Sequence, residues 1–454
     1  MLGILLLVFA LYSYFKPSIR HLSYLIYLSF MMGTGGGFGL TTDAILGLKN
    51  LDLAIVYTFV ISTYLLINGK YNLPTGTSKK WFKAFAIFMV CSVIFSIVYY
   101  GFTVFQVLQG GRSILLIFSL PILIRITSRE LILLFRWLLL ITIITSILYI
   151  MQIALGRPLM PYSMEPHIDE ATGLIRMYNA PPLRGFFLAL SFVVPKYFGK
   201  RLTFVRVLLF IALICSLGRT IIFTTLLTIL LCMIFIGKAS KTIKVIFIIG
   251  LLMLPFIGII GERFEKGGTN EDLEQILRGG YVNYERSGEA TMTYRLAWVY
   301  ERFAYLKDRP IGEQVFGLGL ISESQPVVWR MYRFNVGNIV EETGLPNQLY
   351  TPDIAYGPIL TRLGFVGGFI YLGFVVSIVV FLFKHRKQNA LSIVCAAMGF
   401  MIFISSFSSV GLAEPKSFAM YFIIFSTLLG VESNLSNMKK NEKLLFKSIN
   451  NNDK

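Results

Sequence analysis

Long apolar runs, repeated along most of the chain, are the feature that most restricts its fold. Many of them are about 17–25 residues long, which is the length that a helix needs to cross a bilayer. They lack the alternation of apolar and polar residues that marks the strands of a membrane barrel. Hydrophobic residues make up 55% of the chain, and its mean hydropathy is +0.69. The sequence therefore predicts an all-α polytopic integral membrane protein, because helices satisfy their own backbone hydrogen bonds in lipid.

The charges between the apolar runs predict an orientation in the membrane. Basic clusters, such as those at Lys79–Lys80 and Lys384–Arg386, fall in alternate loops. Because loops rich in Lys and Arg stay in the cytoplasm, the polar segment after Glu262 is expected to face outside. We predict about 12–14 transmembrane helices with one large extracytoplasmic loop. The candidate spans are about 2–15, 21–40, 51–68, 81–103, 111–126, 131–154, 182–198, 203–217, 220–236, 243–261, 357–383, 390–410 and 417–431.

This pattern divides the chain into four regions. Residues 1–261 form an N-terminal transmembrane helix bundle, and residues 262–356 form the extracytoplasmic loop with an amphipathic helix. Residues 357–431 are the C-terminal transmembrane helices, and residues 432–454 are a cytoplasmic tail rich in Asn, Lys and Ser. The net charge of +18 does not indicate nucleic-acid binding. The loop from 262 to 353 holds 14 acidic and 10 basic residues, so the basic excess lies in short loops that set topology.

Several classes of function are disfavoured by the distribution of reactive residues. All four cysteines, at 91, 215, 232 and 395, lie in apolar runs, so the loop has neither a disulfide framework nor zinc-ligand spacing. The glycine-rich stretch 33–39 lacks the Lys-Ser/Thr pair of a phosphate loop, and close helix packing explains it better. We therefore expect no metal and no cofactor.

Arginines near the predicted outer face are the first candidates for chemistry, because charges at membrane depth are costly and mark functional sites. Arg219 stands in a break between two apolar runs, and Arg184 and Arg176 lie at the same face. The alternative for each is an interfacial arginine whose side chain reaches the head-group layer. Together such guanidinium groups could hold a diphosphate, since guanidinium pairs bidentately with phosphate.

The loop itself supplies the second group of candidates. The segment from about Thr291 to Lys307 is predicted to be an amphipathic helix, on which Arg295 and Arg302 are two turns apart and share one face. A solvated basic face is the alternative interpretation.

Asp353 stands just before the next apolar run, between Tyr350 and Tyr356. One possible role of Asp353 is to cap the following helix. The other is to accept a proton from a sugar hydroxyl, and one carboxylate can do both.

The order of these motifs, from Ser216 to about Leu372, resembles the C-terminal half of the O-antigen polymerase and O-antigen ligase superfamily. The Ser-Arg pair of that family, which lies between two spans, corresponds to Gly218-Arg219. The Arg-x-x-x-Trp helix of the family corresponds to Arg295-Leu-Ala-Trp298, which is one residue shorter. The family's turn and its return to the membrane correspond to Asp308-Arg309-Pro310 with Gly317 and Gly319, and to Asp353-Ile-Ala-Tyr356 with Leu363-Gly364.

The resemblance implies a GT-C-like, metal-independent glycosyltransferase in the bacterial cytoplasmic (inner) membrane. It would polymerise undecaprenyl-diphosphate-linked oligosaccharides into lipopolysaccharide O-antigen, capsule or exopolysaccharide at the outer face. Membrane lipid, a chain-length regulator and a flippase would be its partners. The resemblance also implies site residues: Arg219 and Arg295 on the leaving diphosphate, Asp353 on the acceptor hydroxyl, Arg302, Arg184 and Arg176 as further substrate-binding groups, and Trp298, Tyr350 and Tyr356 stacked on sugar rings.

Two alternatives to a polymerase stay open. One is an O-antigen ligase that transfers finished polymer to a lipid or protein acceptor. The family's His, proposed as catalytic in ligases, is replaced here by Asp353, which argues against a strict ligase. The other is a flippase or secondary transporter for the same lipid-linked sugars. Transporters place charges near mid-membrane and show repeat symmetry, whereas the charges here collect at the outer face and in one loop.

Overall fold

The fold is known for most of the chain. The computed structural model describes residues 2–32, 49–160, 167–168, 175–177, 180–236, 243, 247, 250, 274–282, 292–340, 344–386, 390–414, 419–420 and 422–430. The side chains of His167 and Arg219 are outside this description. The glycine-rich stretch 33–39 and the predicted tail 432–454 lie wholly outside the described residues, and the predicted span 243–261 lies almost wholly outside them.

The described part of the chain is predominantly helical. Its first half contains α1 (Leu2–Tyr14), α2 (Arg20–Met32), α3 (Asn50–Ile67), α4 (Gly76–Val98), α5 (Val104–Leu115), α6 (Leu120–Leu123), α7 (Ser128–Leu155), α8 (Arg184–Val193), α9 (Pro195–Phe198), α10 (Leu202–Ile214) and α11 (Arg219–Ile236). A short antiparallel pair, β1 (His167–Ile168) with β2 (Ile175–Arg176), lies between α7 and α8. The second half contains α12 (Met292–Lys307), α13 (Ile311–Phe316), α14 (Pro326–Met331), α15 (Tyr356–Lys384) and α16 (Ala390–Ser405).

Five of these elements are long and apolar enough to cross a bilayer. They are α3, α4, the run Val104–Leu123 that joins α5 to α6 through the 3-10 turn Leu116–Ser119, α7 and α15. Shorter apolar helices occur at Leu2–Tyr14, Arg184–Val193, Thr220–Ile236 and Ala390–Ser405. The helical membrane-protein class is therefore supported, while the total of about 12–14 spans and a GT-C-like arrangement stay predictions.

Local signals in the sequence explain where the longest helices begin and end. The Thr127 hydroxyl accepts a hydrogen bond from the Glu130 backbone, and the Glu130 carboxylate accepts one from the Thr127 backbone. This reciprocal capping box satisfies the free N–H groups at the start of α7. At its other end α7 stops at Gly156, which takes the left-handed conformation that glycine adopts without steric cost.

Helix α15 lies at the centre of the fold and packs on α4, α12, α13 and α16. Glycines on α15 make the approach of α4 possible. A Cβ at Gly373 would lie 2.5 Å from the Trp81 ring, and one at Gly367 would overlap Phe88. Around this seam Phe85 stacks on Phe374 at 6.4 Å between ring centroids. Small residues in one helix and aromatic rings in the other therefore fix the position of α15, the helix that follows the predicted loop.

The loop between α13 and α14 is held against the membrane helices. The Leu320 N–H donates to Ser96 Oγ at 3.0 Å, and the Tyr100 hydroxyl donates to the Gly317 carbonyl at 3.1 Å. Gly110 of α5 touches the backbone of Ile321 so closely that a Cβ there would overlap it. The loop between α13 and α14 therefore packs directly on the helix bundle. These contacts allow it to hold side chains in fixed positions.

Candidate functional site

The amphipathic helix predicted in the loop is present as α12, and it packs on the start of α15. Trp298 is fully buried at this junction. A Cβ at Gly357, one residue into α15, would overlap the indole ring. The indole therefore fills the space between the two helices, and its contact with Gly357 fixes α12 beside the segment that carries Asp353.

This packing brings two predicted catalytic residues together. Arg295 Nη2 lies 3.9 Å from Asp353 Oδ1, and each side chain is 21% exposed. The Arg295 Nε atom is buried and has no hydrogen-bond partner among the residues that the structure describes. A guanidinium with an unused donor, next to a partly open carboxylate, has the composition needed to hold an anion and accept a proton at one place.

Three further groups orient the carboxylate of Asp353. The Asn338 side-chain amide and the Thr351 hydroxyl each donate to Asp353 Oδ2 at 3.3 Å. Asn338 is held in turn by the Tyr294 hydroxyl, which donates to Asn338 Oδ1 at 2.8 Å. Tyr294 precedes Arg295 on α12, so the helix that supplies the arginine also supports the carboxylate. Asn338 and Thr351 were not predicted from the sequence, because neither carries a charge or belongs to the motif.

Asp353 does not cap α15. The helix begins at Tyr356, and Ala355 occupies the cap position without a side-chain hydrogen bond. The Ala355 N–H donates instead to the Ser406 carbonyl at 3.0 Å, in the turn that follows α16. The capping alternative for Asp353 is therefore wrong, and its carboxylate is used for contacts with Arg295, Asn338 and Thr351.

The break before Arg219 lies beside the same turn. Leu217 has a positive φ of 49° and lies in the break between α10, which ends at Ile214, and α11, which begins at Arg219. The Thr220 hydroxyl is hydrogen-bonded to the Ser408 hydroxyl at 3.2 Å. Thr220, next to Arg219, and Ala355, two residues after Asp353, therefore both contact residues 406–408. The side chain of Arg219 lies outside the described residues, so its diphosphate role stays a prediction.

Arg184 lies close to the first turns of α11. It is 7% exposed, its Nη1 donates to the Pro181 carbonyl at 3.0 Å, and within the described part of the chain its Nε has no hydrogen-bond partner. Arg184 lines a cavity of about 270 Å³ together with Thr224 and Thr225 of α11. Arg176 lies on β2, opposite His167 in the strand pair. The structure therefore associates Arg184 with α11 and places Arg176 in the strand pair between α7 and α8.

Arg302 is directed into the protein. It is fully buried, and its guanidinium donates to the carbonyls of Asn347 and Gln348 at 2.9–3.2 Å and to Glu301 at 2.7 Å. Its Cζ lies 3.9 Å from the centre of the Trp298 ring. Burial lowers the pKa of Arg302 to about 9. Although Arg302 shares a helix face with Arg295, its donors are used to fix the chain before Asp353.

The predicted sugar-stacking residues have different surroundings. Trp298 is enclosed between Arg302 and Gly357. The Tyr356 hydroxyl donates to the Phe403 carbonyl at 2.9 Å, and its half-buried ring lies 4.6 Å from Phe407. Tyr356 therefore keeps part of its ring open close to Asp353, and Trp298 serves the packing of α12 in this structure.

Tyr350 belongs to a charged cluster that the sequence analysis missed. Its hydroxyl donates to Glu414 Oε1 at 3.0 Å, and the Arg362 guanidinium lies 5.7 Å from the centre of its ring. Arg362 Nε is buried, no described residue forms a hydrogen bond with it, and Glu323 and Arg112 are among its charged neighbours. Burial raises the pKa of Tyr350. Arg362 interrupts an apolar run. Because a charge at membrane depth is costly, the criterion that selected Arg219 and Arg184 would also have selected Arg362.

Glu323 holds the chain that leads to Asp353. Its carboxylate accepts hydrogen bonds from the backbone N–H groups of Gln348, Leu349 and Tyr350 at 2.6–3.1 Å. Burial raises the pKa of this carboxyl, against the lowering effect of those three hydrogen bonds. Glu323 and Arg302 thus fix adjacent turns, and both act through backbone positions near Asp353.

Comparisons with known proteins leave the chain without an assigned family. No protein-family model matches it, and no curated protein matches it significantly. The resemblance to the O-antigen polymerase and ligase superfamily therefore depends on the sequence motifs alone. The function of the site has to follow from its own geometry.

Proposed function

We propose that this chain polymerises polyprenyl-diphosphate-linked oligosaccharide repeats at the outer face of a bacterial cytoplasmic membrane. The observation that supports this proposal most is the pair formed by Arg295 and Asp353 at the junction of α12 with α15. The pair combines a cation for a leaving phosphate with a carboxylate for an incoming hydroxyl. Both groups are partly exposed, as groups that meet a substrate must be.

The reaction needs only these two kinds of group. The acceptor sugar hydroxyl attacks the anomeric carbon of the donor glycan, which forms the new glycosidic bond and breaks the bond to the diphosphate. The hydroxyl proton passes to the Asp353 carboxylate. The negative charge that develops on the leaving diphosphate is stabilised by Arg295, with Arg219 as the second cation. Because Arg295 contacts Asp353, binding of the diphosphate would draw the guanidinium away and free the carboxylate.

The position of the pair is compatible with a lipid-linked donor. Arg295 and Asp353 are each 21% exposed, and Asn338 and Thr351 contact Oδ2 of Asp353. The start of α11 and the start of α15 share the turn at 406–408. The proposed donor therefore places its diphosphate where these two apolar helices begin.

A carbohydrate ladder gel tests this function directly. A strain that lacks the gene is complemented with wild type, with Asp353→Ala, or with an empty vector. We expect wild type to restore a ladder of polymer lengths, and the other two to accumulate single repeats on the polyprenyl carrier. Protein amount in the membrane fraction is measured in parallel.

Each contrary outcome would lead to a different conclusion. Long polymer that accumulates on the carrier in the deletion strain would identify a ligase. Absence of any lipid-linked glycan at the outer face would identify a transporter. An unchanged ladder with Asp353→Ala at normal protein level would remove Asp353 from the chemistry.

A further inference from the structure

A cavity of about 650 Å³ lies between the beginning of α4 and the end of α15. It is lined by residues from Thr75 to Trp81 and from Gly373 to His385. Asp353 precedes α15, whereas this cavity adjoins the last turns of that helix. The cavity is therefore separate from the site that contains Arg295 and Asp353, and the proposed glycan chemistry makes no use of it.

The lining of this cavity has a polar end and an apolar end. Thr75, Thr77 and Lys384 supply polar groups where α4 begins and α15 ends, and Trp81, Gly373 and Val376 supply apolar surface further along the two helices. Between the two ends Ser377 Oγ donates to Ser78 Oγ at 3.2 Å, which ties α15 to α4.

The apolar wall continues onto the outer faces of the two helices. Val376 and Val380 are 43% and 45% exposed on α15, and Phe369, two turns before Val376 on the same face, is exposed with its ring 5.7 Å from that of Trp81 on α4. Both helices are long and apolar enough to span a bilayer. An occupant of the cavity can thus extend an apolar tail along a surface that faces lipid.

The charge around the cavity has a single sign. The segments 70–84 and 372–386 contain no Asp or Glu, and their basic residues are Lys70, Lys79, Lys80, Lys83, Lys384 and Arg386. The start of α4, the positive end of a 23-residue helix, lies at the same place. An anionic head group is therefore favoured at the polar end, because each nearby lysine adds to the attraction.

We propose that this cavity binds one anionic phospholipid. Its phosphate lies by Lys384 and the first turn of α4, and its acyl chain follows Val380 and Val376 past Trp81 toward the lipid-facing surface. This inference is independent of the proposed glycan chemistry. The bound lipid would fill the gap between α4 and α15 and hold the two helices together at the end that carries the basic loops.

Native mass spectrometry of the purified full-length chain tests this site. The protein is titrated with phosphatidylglycerol or with phosphatidylcholine of identical acyl chains, and bound lipid is counted. We expect one phosphatidylglycerol to be retained in preference to phosphatidylcholine. Lys384→Ala should weaken retention about fivefold, the equivalent of about 1 kcal/mol, and Val380→Trp should prevent binding by filling the cavity. Should Val380→Trp fail to fold, Ser377→Leu fills the cavity between its two ends.

The matched control is Lys196→Ala, an exposed lysine at the start of α9 that does not line the cavity. It should bind phosphatidylglycerol as wild type does. Equal weakening in Lys196→Ala and Lys384→Ala would mean general surface attraction and would overturn the proposal. So would equal retention of the two lipids, or full displacement of phosphatidylglycerol by inorganic phosphate, which would mean a plain anion site.

Discussion

Gly317 and Gly364 approach each other so closely that neither position can hold a larger residue. A Cβ at Gly317 would lie 2.6 Å from the Gly364 nitrogen, and a Cβ at Gly364 would lie 2.5 Å from the Gly317 nitrogen. Both have positive φ, 78° and 64°. Gly364 interrupts the helical backbone of α15, and the Leu318 N–H donates to the Thr361 carbonyl at 2.6 Å. The motif that contains Gly317 and the motif that contains Gly364 are separate in the sequence. They form one contact, which holds the loop after α13 against α15.

Gly317→Ala is expected to destabilise the protein by about 2–4 kcal/mol. The substitution adds the strain of a left-handed alanine, about 1–2 kcal/mol, to a backbone collision that cannot relax without moving α15. Thermal unfolding of the purified protein in detergent measures the effect. Gly344→Ala is the control, because Gly344 has a φ of 65° but no atom near its Cβ position. Equal losses in the two variants would show that the contact with Gly364 contributes nothing.

Arg295→Ala is expected to abolish polymer while the protein stays folded. The side chain is partly exposed and its ion pair with Asp353 is long, at 3.9 Å, so its loss costs little stability. Its proposed role is on the leaving group, where removal of one stabilising donor typically lowers a rate about 100-fold or more. The ladder gel and the amount of membrane-inserted protein are read together. Normal polymer at normal protein level would refute the diphosphate role of Arg295.

Arg302→Ala should have the opposite pattern, with loss of folded protein. The substitution leaves Glu301 and two backbone carbonyls without the buried cation that they contact, a loss of about 3–5 kcal/mol. The pKa of Arg302 is lowered by burial to about 9. The group is therefore charged in the folded and the unfolded chain below that pH, and the deficit should be equal at pH 6 and pH 8. Wild-type thermal stability at either pH would contradict this structural role.

The contrast between these two arginines shows what the sequence can predict. The helix Met292–Lys307 agrees with the predicted segment from about 291 to 307, because its apolar periodicity and its turn residues are local signals. The span predicted at 131–154 likewise matches Ser128–Leu155, where Thr127, Glu130 and Gly156 mark the ends. The different surroundings of Arg295 and Arg302 depend on partners more than 40 residues away, Asp353 and the carbonyls of Asn347 and Gln348. Helical spacing alone contains no information about such partners.

The same limit applies to Glu414 and Arg362. Each was visible as a charge next to apolar sequence, but the contact between Glu414 and Tyr350 joins residues 64 positions apart. The turn after α16 contacts the segment that carries Asp353 only in the folded chain, so the sequence pattern does not reveal this contact.

Asp353→Asn is expected to lower polymer about 100-fold or more, because the amide cannot accept the hydroxyl proton. The protein level should hold, since the amide oxygen can still accept hydrogen bonds from Asn338 and Thr351. Asp353→Glu keeps a carboxylate but moves it by one methylene, and it should retain part of the activity. Polymer length and amount are compared on the ladder gel at matched protein level. Equal polymer from Asp353→Asn and wild type would exclude proton transfer to this residue.

Tyr350→Phe is expected to destabilise the protein by about 1–3 kcal/mol, because it removes a donor from the partly buried Glu414 carboxylate. The hydrogen bond lost is the one of 3.0 Å from the Tyr350 hydroxyl to Glu414 Oε1. Glu414→Gln should cost less, since its amide oxygen can still accept from that hydroxyl. Tyr300→Phe on α12 is the control, because Tyr300 is 39% exposed and the loss of its hydroxyl should change stability by less than about 0.5 kcal/mol. Thermal unfolding of the three purified variants ranks them. If Tyr350→Phe were as stable as Tyr300→Phe, the contact between Tyr350 and Glu414 would not hold the chain before Asp353.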